Sequence, residues 1–590
     1  MLFPRAAGIL LHPTSLPSPG GIGDMGPDAF RFIQWLADAG MKIWQVLPLG
    51  PTGYGDSPYQ CFSAFAGNPL LIHVPDHTRA HLGRDIALES ATETAHVCDF
   101  SAVIPAKRAR LDAWLATMPI DEAVHRFVRE QASWLPDYAL FMALKDAHDG
   151  APWTMWERGA AQRDPEALRA WRETLRPSIE RCYKEQYVFF EQFQSLRTAC
   201  TAHDIQLMGD VPIYVAHDSV DVWANRSLFT LNDDGTLLVQ AGVPPDYFSD
   251  TGQLWGNPLY DWEAMSNEGY RWWIDRMRAS LAMFDVVRLD HFRGFEAFWE
   301  VSAADTTAVN GRWVPGPGAA LFTALTAALG PMPIVAENLG LITPAVEALR
   351  AQFGYPGMAI LQFAFNDRAS VFIPHRHVQE LVVYTGTHDN DTTVGWWHSA
   401  GTDDSTRALE DVEQEKAFAR TYLDTDGQDI HWALMRAAFA SVASTALVPL
   451  QDVLGLGSDT RMNLPGRQAG NWSFRFTWDQ LPSTVAARVR ELIQKGVRFS
   501  LREKSGDEPE TFALGLEGGH SHRHPLLDMP PGIFKMINGS KFMRYNQTVP
   551  QEHLDNRVHD IPQGNVLGGG SSVNAQVYMR GRPSDYDAWH

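Results

Sequence analysis

The chain has 590 residues, 45% of them hydrophobic and 20% charged, enough to bury a large core in one domain with insertions or in several smaller domains. Lys and Arg number 49 against 70 Asp and Glu, and the net charge of -21 disfavours nucleic acid and anionic membranes as main partners and suits a neutral substrate. The 4 cysteines (Cys61, Cys98, Cys182, Cys200) form no C-x-x-C pair, and no signal-peptide core or uncharged apolar run of about 18 residues is present, so a cytoplasmic protein with reduced thiols is expected.

Taken in chain order, short apolar runs that end in polar or Gly-containing clusters recur at 8–11, 43–49, 205–213, 286–290, 333–337, 358–363, 381–385 and 446–450. They read as buried strands. Helix-periodic segments at 28–39, 270–284 and 319–329 alternate with them, as in parallel α/β folds, and the number of repeats suggests a (β/α)8 TIM barrel. The interval 60–200 is too long for a simple connection and carries helical patterns such as PDYALFMALKDAH at 136–148, so a helical insertion is expected there. The character changes at KSGDEPET, beyond which the chain is rich in Gly, Pro, His and Asn without helical period. A boundary is placed at 500–515.

Cleaving a glycosidic bond with retention takes two carboxyl groups, one attacking the anomeric carbon and the other protonating the leaving oxygen. In a barrel, acidic residues at the C-terminal ends of strands share one face. Asp290 in DVVRLDHFRGF, Glu337 in PIVAENLG and Asp389 in VVYTGTHDND occupy such positions. The first two lie on consecutive predicted strands, about 4.8 Å apart, which favours the roughly 5–5.5 Å separation of a retaining pair. Arg288, two residues before Asp290, shares its face and would favour the ionised nucleophile. Glu337 needs a raised pKa to hold its proton, and crowding by Asp290 and Asp389 is the expected cause. A single Asp or Glu after a strand more often caps a helix or pairs with a base, so the weight rests on the three together.

RLDHFRGF, AENLG and GTHDND in that order, with HPTSLPSPGGIGD (12–24), PTGYGDSPYQCFSAFAGNPLL (51–71) and GDVPIYVAHDSVDVW (209–223), resemble the amylomaltase (4-α-glucanotransferase) family over residues 1–500. The resemblance implies a glycosidase-type (β/α)8 barrel with helical insertions that moves a segment of one α-1,4-glucan to the 4-hydroxyl of another, with maltooligosaccharides as donors and glucose among the acceptors. It implies Asp290 as nucleophile, Glu337 as acid/base and Asp389 as a third, transition-state-stabilising carboxylate. Arg288 and His388 match sugar- or nucleophile-orienting residues beside them, and Asp210 matches the acidic residue of the third strand. The segment 244–262 matches a loop over the groove, with Tyr247, Phe248, Gln253 and Trp255 as glucan contacts, and Tyr54 and Tyr59 lie in a Gly- and Pro-rich loop after the second strand. The high count of aromatics (20 Trp, 15 Tyr, 30 Phe) suits stacking on sugar faces, although large cores use them too. No cofactor and no metal site is expected. A hydrolase sharing these carboxylates, or a non-catalytic glucan-binding protein, remains a rival reading.

Residues 516–590 are different. HPLLDMPPGIFKMINGSKFMRYNQTVPQEHLDN and PQGNVLGGGSSVNAQVYMRGRPSDYDAWH resemble the glucose-methanol-choline oxidoreductases, nearest to choline dehydrogenase, with GNVLGGGSSVN as the flavin-proximal signature. The strand–GxGxxG–helix fingerprint that should precede this piece is absent, and the chain reaches His590 before that family's substrate domain and catalytic histidine. The organisation expected is a barrel over 1–500, a linker at 501–515 and, joined by gene fusion or as an assembly artefact, a poorly ordered fragment of a foreign fold over 516–590 that binds no flavin.

Overall fold

The computed structural model describes residues 5–75, 97–245, 249–399, 409–467 and 469–500, together with two short strands at 543–547 and 560–564. The apolar runs form the strands β1 (Ala6–Leu10), β2 (Ile43–Gln45), β3 (Gln206–Val211), β4 (Val286–Leu289), β5 (Ile334–Ala336), β6 (Gly357–Ile360), β7 (Leu381–Tyr384) and β8 (Thr445–Pro449). They make one 8-stranded parallel sheet in the order β6-β7-β8-β1-β2-β3-β4-β5. The two end strands meet where the Ala336 amide donates to the Pro356 carbonyl at 2.9 Å and the Met358 amide to Asn338 Oδ1 at 2.8 Å. A side-chain amide thus completes the seam of the barrel. Gly357 leaves room for it, since a Cβ there would stand 2.8 Å from the Asn338 amide atoms.

The strands are continuous apolar runs because both faces are covered. Inside the barrel, Ile43, Met208, Val286, Val335, Met358, Ile360, Val382, Tyr384 and Leu447 form one buried cluster. Outside, the helices Pro27–Asp38, Arg271–Met283 and Ala319–Leu329 follow the predicted segments within a residue or so. The first opens on a proline whose missing N–H costs nothing at a helix start, and Ala29, Phe32, Ile33 and Leu36 form its buried stripe.

The helical insertion between β2 and β3 comprises Phe100–Thr117, Glu122–Glu130, Leu135–Ala147, Arg158–Ala161, Pro165–Thr174 and Arg176–Ala202. Asp99, Asp121 and Asp164 cap their helices by accepting backbone N–H groups. Lys107 ties the insertion to the loop after β1 through Asp24 at 2.9 Å, with side-chain exposures of 4% and 5%.

A second excursion was not expected. Val239–Val243, Gln253–Pro258, Ala297–Ser302 and Arg312–Pro315 form a 4-stranded antiparallel sheet, so part of the segment read as a loop, 253–258, is a strand. Its strands come from two different connections, before and after β4, and the register shifts between Gln240 and Gly242. Pairing of that kind leaves little local pattern.

The chain divides into two compact units, 1–512 and 513–590. In the second, Met543–Gln547 pairs antiparallel with Asp560–Gly564. The rest of the tail, including 565–574 of the Gly-rich signature, lies outside the described residues, as do the expected linker and the expected poor order. Among the described residues no helix is long and apolar enough to cross a membrane.

Candidate active site

At the C-terminal ends of β4 and β5 the register pairs Leu289 with Ala336, and the hydrogen bonding continues one residue further. The Asp290 amide donates to the Val211 carbonyl, and the Glu337 amide to the Leu289 carbonyl, both at 3.0 Å. Asp290 and Glu337 therefore stand side by side at adjacent strand ends, as the sequence predicts, where strands run about 4.8 Å apart.

Arg288 lies one pleat below Asp290 and in register with Asp210 of β3. Its Nη1 is 2.6 Å from Asp210 Oδ2 and its Nη2 is 2.9 Å from Asp290 Oδ1. Burial opposes charge on this guanidinium, but Asp210 and Asp290 outweigh it and hold its pKa well above the usual value. Burial pushes the Asp210 carboxyl up, with Arg288 opposing. The Tyr59 hydroxyl donates to the same Asp210 oxygen at 2.6 Å, and burial, then the Asp210 charge, keeps the phenol protonated.

Glu337 is buried, and both of its oxygens accept backbone N–H groups. Oε1 takes that of Leu339 at 3.0 Å and Oε2 that of His291 at 2.7 Å. His291 adopts a left-handed conformation (φ 49°, ψ 50°) at the turn leaving β4, where its N–H meets Glu337. Arg288 and these donors favour the carboxylate; burial first, and Asp290 second, favour the acid, and the pKa is pushed up to about 7. The direction is the predicted one, but burial leads and the neighbouring charge is secondary.

Asp389 sits in the loop after β7 with its side chain 44% exposed. Oδ1 accepts from Asn463 Nδ2 at 2.6 Å, Oδ2 lies 3.3 Å from His388 Nε2, and its carbonyl accepts from Arg461 Nη2 at 2.5 Å. The Tyr59 ring stacks on the His388 ring with centroids 5.2 Å apart and planes 13° from parallel, and Trp472 tilts against both. Tyr59 thus links the β3 carboxylate to the loop that carries Asp389. Trp255 stands edge-to-face on His291 at 4.9 Å and donates its indole N–H to Gln253 Oε1 at 3.2 Å. Tyr54, in the turn Tyr54–Asp56, is 73% exposed. Tyr247 and Phe248 lie outside the described residues.

Sequence reasoning missed Asn463, Arg461 and Trp472, all in RMNLPGRQAGNW after β8, and the backbone of His291. The position of that segment beyond the eighth strand was the available signal, because every loop there faces the same end of the barrel.

The family profile of 4-alpha-glucanotransferase matches residues 11–481. The chain belongs to the 4-alpha-glucanotransferase family. It is 49% identical to the 4-alpha-glucanotransferase of Synechocystis sp. over 501 residues, covering 83% of this chain and 97% of that one. With the enzyme of Thermus thermophilus the identity is 46% over 515 residues, 85% of this chain and 100% of that one. The amylomaltase of Streptococcus agalactiae, solved in complex with acarbose, superposes with a TM-score of 0.78 at 36% identity, covering 84% of this chain and 99% of that one. The activity is 4-α-glucan transfer by the retaining double displacement characteristic of this family. A second profile, GMC oxidoreductase, matches residues 439–590. Its first part overlaps β8 and the 461–472 segment, which here are built into the glucanotransferase barrel.

Proposed function

We propose that Asp290 is the nucleophile and Glu337 the acid/base of this transfer, acting on maltooligosaccharides with glucose or a second glucan as acceptor. The observation that carries the assignment is the contrast between neighbours at adjacent strand ends. Asp290 is ion-paired to Arg288 and partly open to solvent, whereas Glu337 is buried with its pKa pushed up to about 7. Such opposed environments sort two carboxyls into a charged attacker and a proton carrier.

In the first displacement the Asp290 carboxylate bonds to the anomeric carbon as its glycosidic bond breaks, and the Glu337 proton goes to the leaving oxygen. In the second, the Glu337 carboxylate takes the proton of an acceptor 4-hydroxyl, whose oxygen displaces Asp290 and restores the α configuration. Asp389 accepts hydroxyls of the sugar at the cleavage point, helped by His388. Arg288 and Asp210 align Asp290, and Tyr59 supplies an aromatic wall beside them. Trp255 and Gln253, with Tyr247, Phe248 and Tyr54 by resemblance, hold the glucan and disfavour water as acceptor. Free thiols at Cys61, Cys98, Cys182 and Cys200 suit a cytoplasmic location.

Incubation with maltotriose tests the reading. Glucose plus a ladder of longer oligosaccharides is expected; glucose and maltose alone would make the protein a hydrolase.

A further inference from the structure

The loop that carries His388 and Asp389 is held by a residue outside it. Asp452, in the short helix Leu450–Leu454 that follows β8, is 1% exposed. Its Oδ2 accepts the hydroxyl of Thr385 at 2.6 Å and that of Thr393 at 2.8 Å, and its Oδ1 accepts the Thr393 amide at 2.7 Å. Thr385 is the first residue past β7 and Thr393 opens the helix Thr393–His398; both are fully buried. Both ends of the segment 385–393 are therefore fastened to one carboxylate, and Asp389 lies between them. Inside the segment, Asn390 Oδ1 accepts the Thr387 amide and hydroxyl at 2.9 Å, and the Asp391 carbonyl accepts Gln362 Nε2 at 2.8 Å.

We propose that Asp452 is a positioning residue for the transfer reaction, clamping the two ends of the 385–393 loop so that the Asp389 carboxylate meets the sugar at the cleavage point. A buried carboxylate is an expensive way to fill space, which apolar side chains packed on one another fill without a desolvation cost. What the carboxylate supplies is directed acceptance of two hydroxyls and an N–H from separate parts of the chain. Burial pushes its pKa up, opposed by these same donors. Without it, Thr385 and Thr393 lose buried partners and the loop relaxes.

The inference rests on Asp389 acting at the cleavage point, so Asp389→Asn is the reference. Asp452→Ala is expected to lower kcat by about 100-fold, the cost of displacing a reacting group by about 1 Å, with KM for maltotetraose changed by no more than about threefold. Asp452→Asn, which keeps the shape and can still bond the hydroxyls, should recover most of kcat. The double variant Asp389→Asn with Asp452→Ala should be no slower than Asp389→Asn by more than about threefold. If Asp452→Ala does not fold, Thr385→Val removes one hydroxyl at constant shape and should lower kcat about tenfold with KM unchanged. A folded Asp452→Ala, or Thr385→Val in its place, with wild-type kcat overturns the proposal, as does a double variant in which the two losses multiply. Normal turnover by Asp389→Asn would overturn the role of Asp389 itself.

Discussion

Arg288 bridges Asp210 and Asp290, with one nitrogen 2.6 Å from the first carboxylate and the other 2.9 Å from the second. The bridge spans β3 and β4 and fixes the direction of the residue to which attack on the anomeric carbon is assigned. Arg288→Lys keeps the charge but replaces the planar fork by a single point charge, which does not hold the two carboxylates in the same geometry. Steady-state kinetics on maltotriose should give kcat lowered by about 100-fold, with a smaller change in KM.

With Glu337 assigned as the acid, its proton should set the alkaline side of the pH profile. Its pKa is pushed up to about 7, above the ordinary 4.5, by burial and by Asp290. A general acid works only while protonated, so kcat/KM should fall as pH rises through about 7 and tend toward a tenfold loss per pH unit beyond it. A pH series of initial rates checks this, and a profile flat into the alkaline range would remove Glu337 as the acid.

The rings of Trp255 and His291, the residue following Asp290, meet edge-to-face. Trp255→Ala removes an aromatic face worth about 0.5–1.5 kcal/mol beyond its buried area and opens a path for water. The expected outcome is a lower yield of long products and a higher fraction of hydrolysis, read by chromatography of maltotriose digests.

Asp24 and Lys107 form a buried pair that ties the helical insertion to the loop after β1. Asp24→Ala leaves the ammonium buried without this carboxylate and should destabilise the protein by about 3–5 kcal/mol in a denaturant melt at neutral pH. The Asp24 pKa is depressed below 3.8 because Lys107 and His73 outweigh the upward effect of burial. The pair's stabilisation is therefore full above 3.8 and fades as pH falls through the depressed value, so the difference from wild type should shrink in acid.

The strands of the barrel were legible because parallel strands covered on both faces are uninterrupted apolar runs, and Asp290, Glu337 and Asp389 because each lies at or just past the end of such a run within a recognisable motif. The antiparallel sheet was not, since 239–243 must find 297–302 across an intervening barrel strand and the register shifts at Gly242. Nor were the groups that act on Glu337 and Asp389 from a distance. The His291 N–H depends on a left-handed turn, Asn463 and Arg461 arrive from the far side of β8, and Asp452 resembles any acidic residue near a helix start until its three donors are seen. A chain ended after Phe512, the limit of the first compact unit, is predicted to keep glucan transfer, and the full-length protein to carry no flavin absorbance.

The most direct test of the central assignment is mass spectrometry of Glu337→Gln incubated with α-maltotriosyl fluoride. Fluoride leaves without an acid, whereas release of the glycosyl group needs the missing base, so the intermediate should accumulate. The predicted result is a maltotriosyl adduct on the peptide containing Asp290. An adduct on another residue, or turnover of the variant at the wild-type rate on maltotriose, would contradict the account.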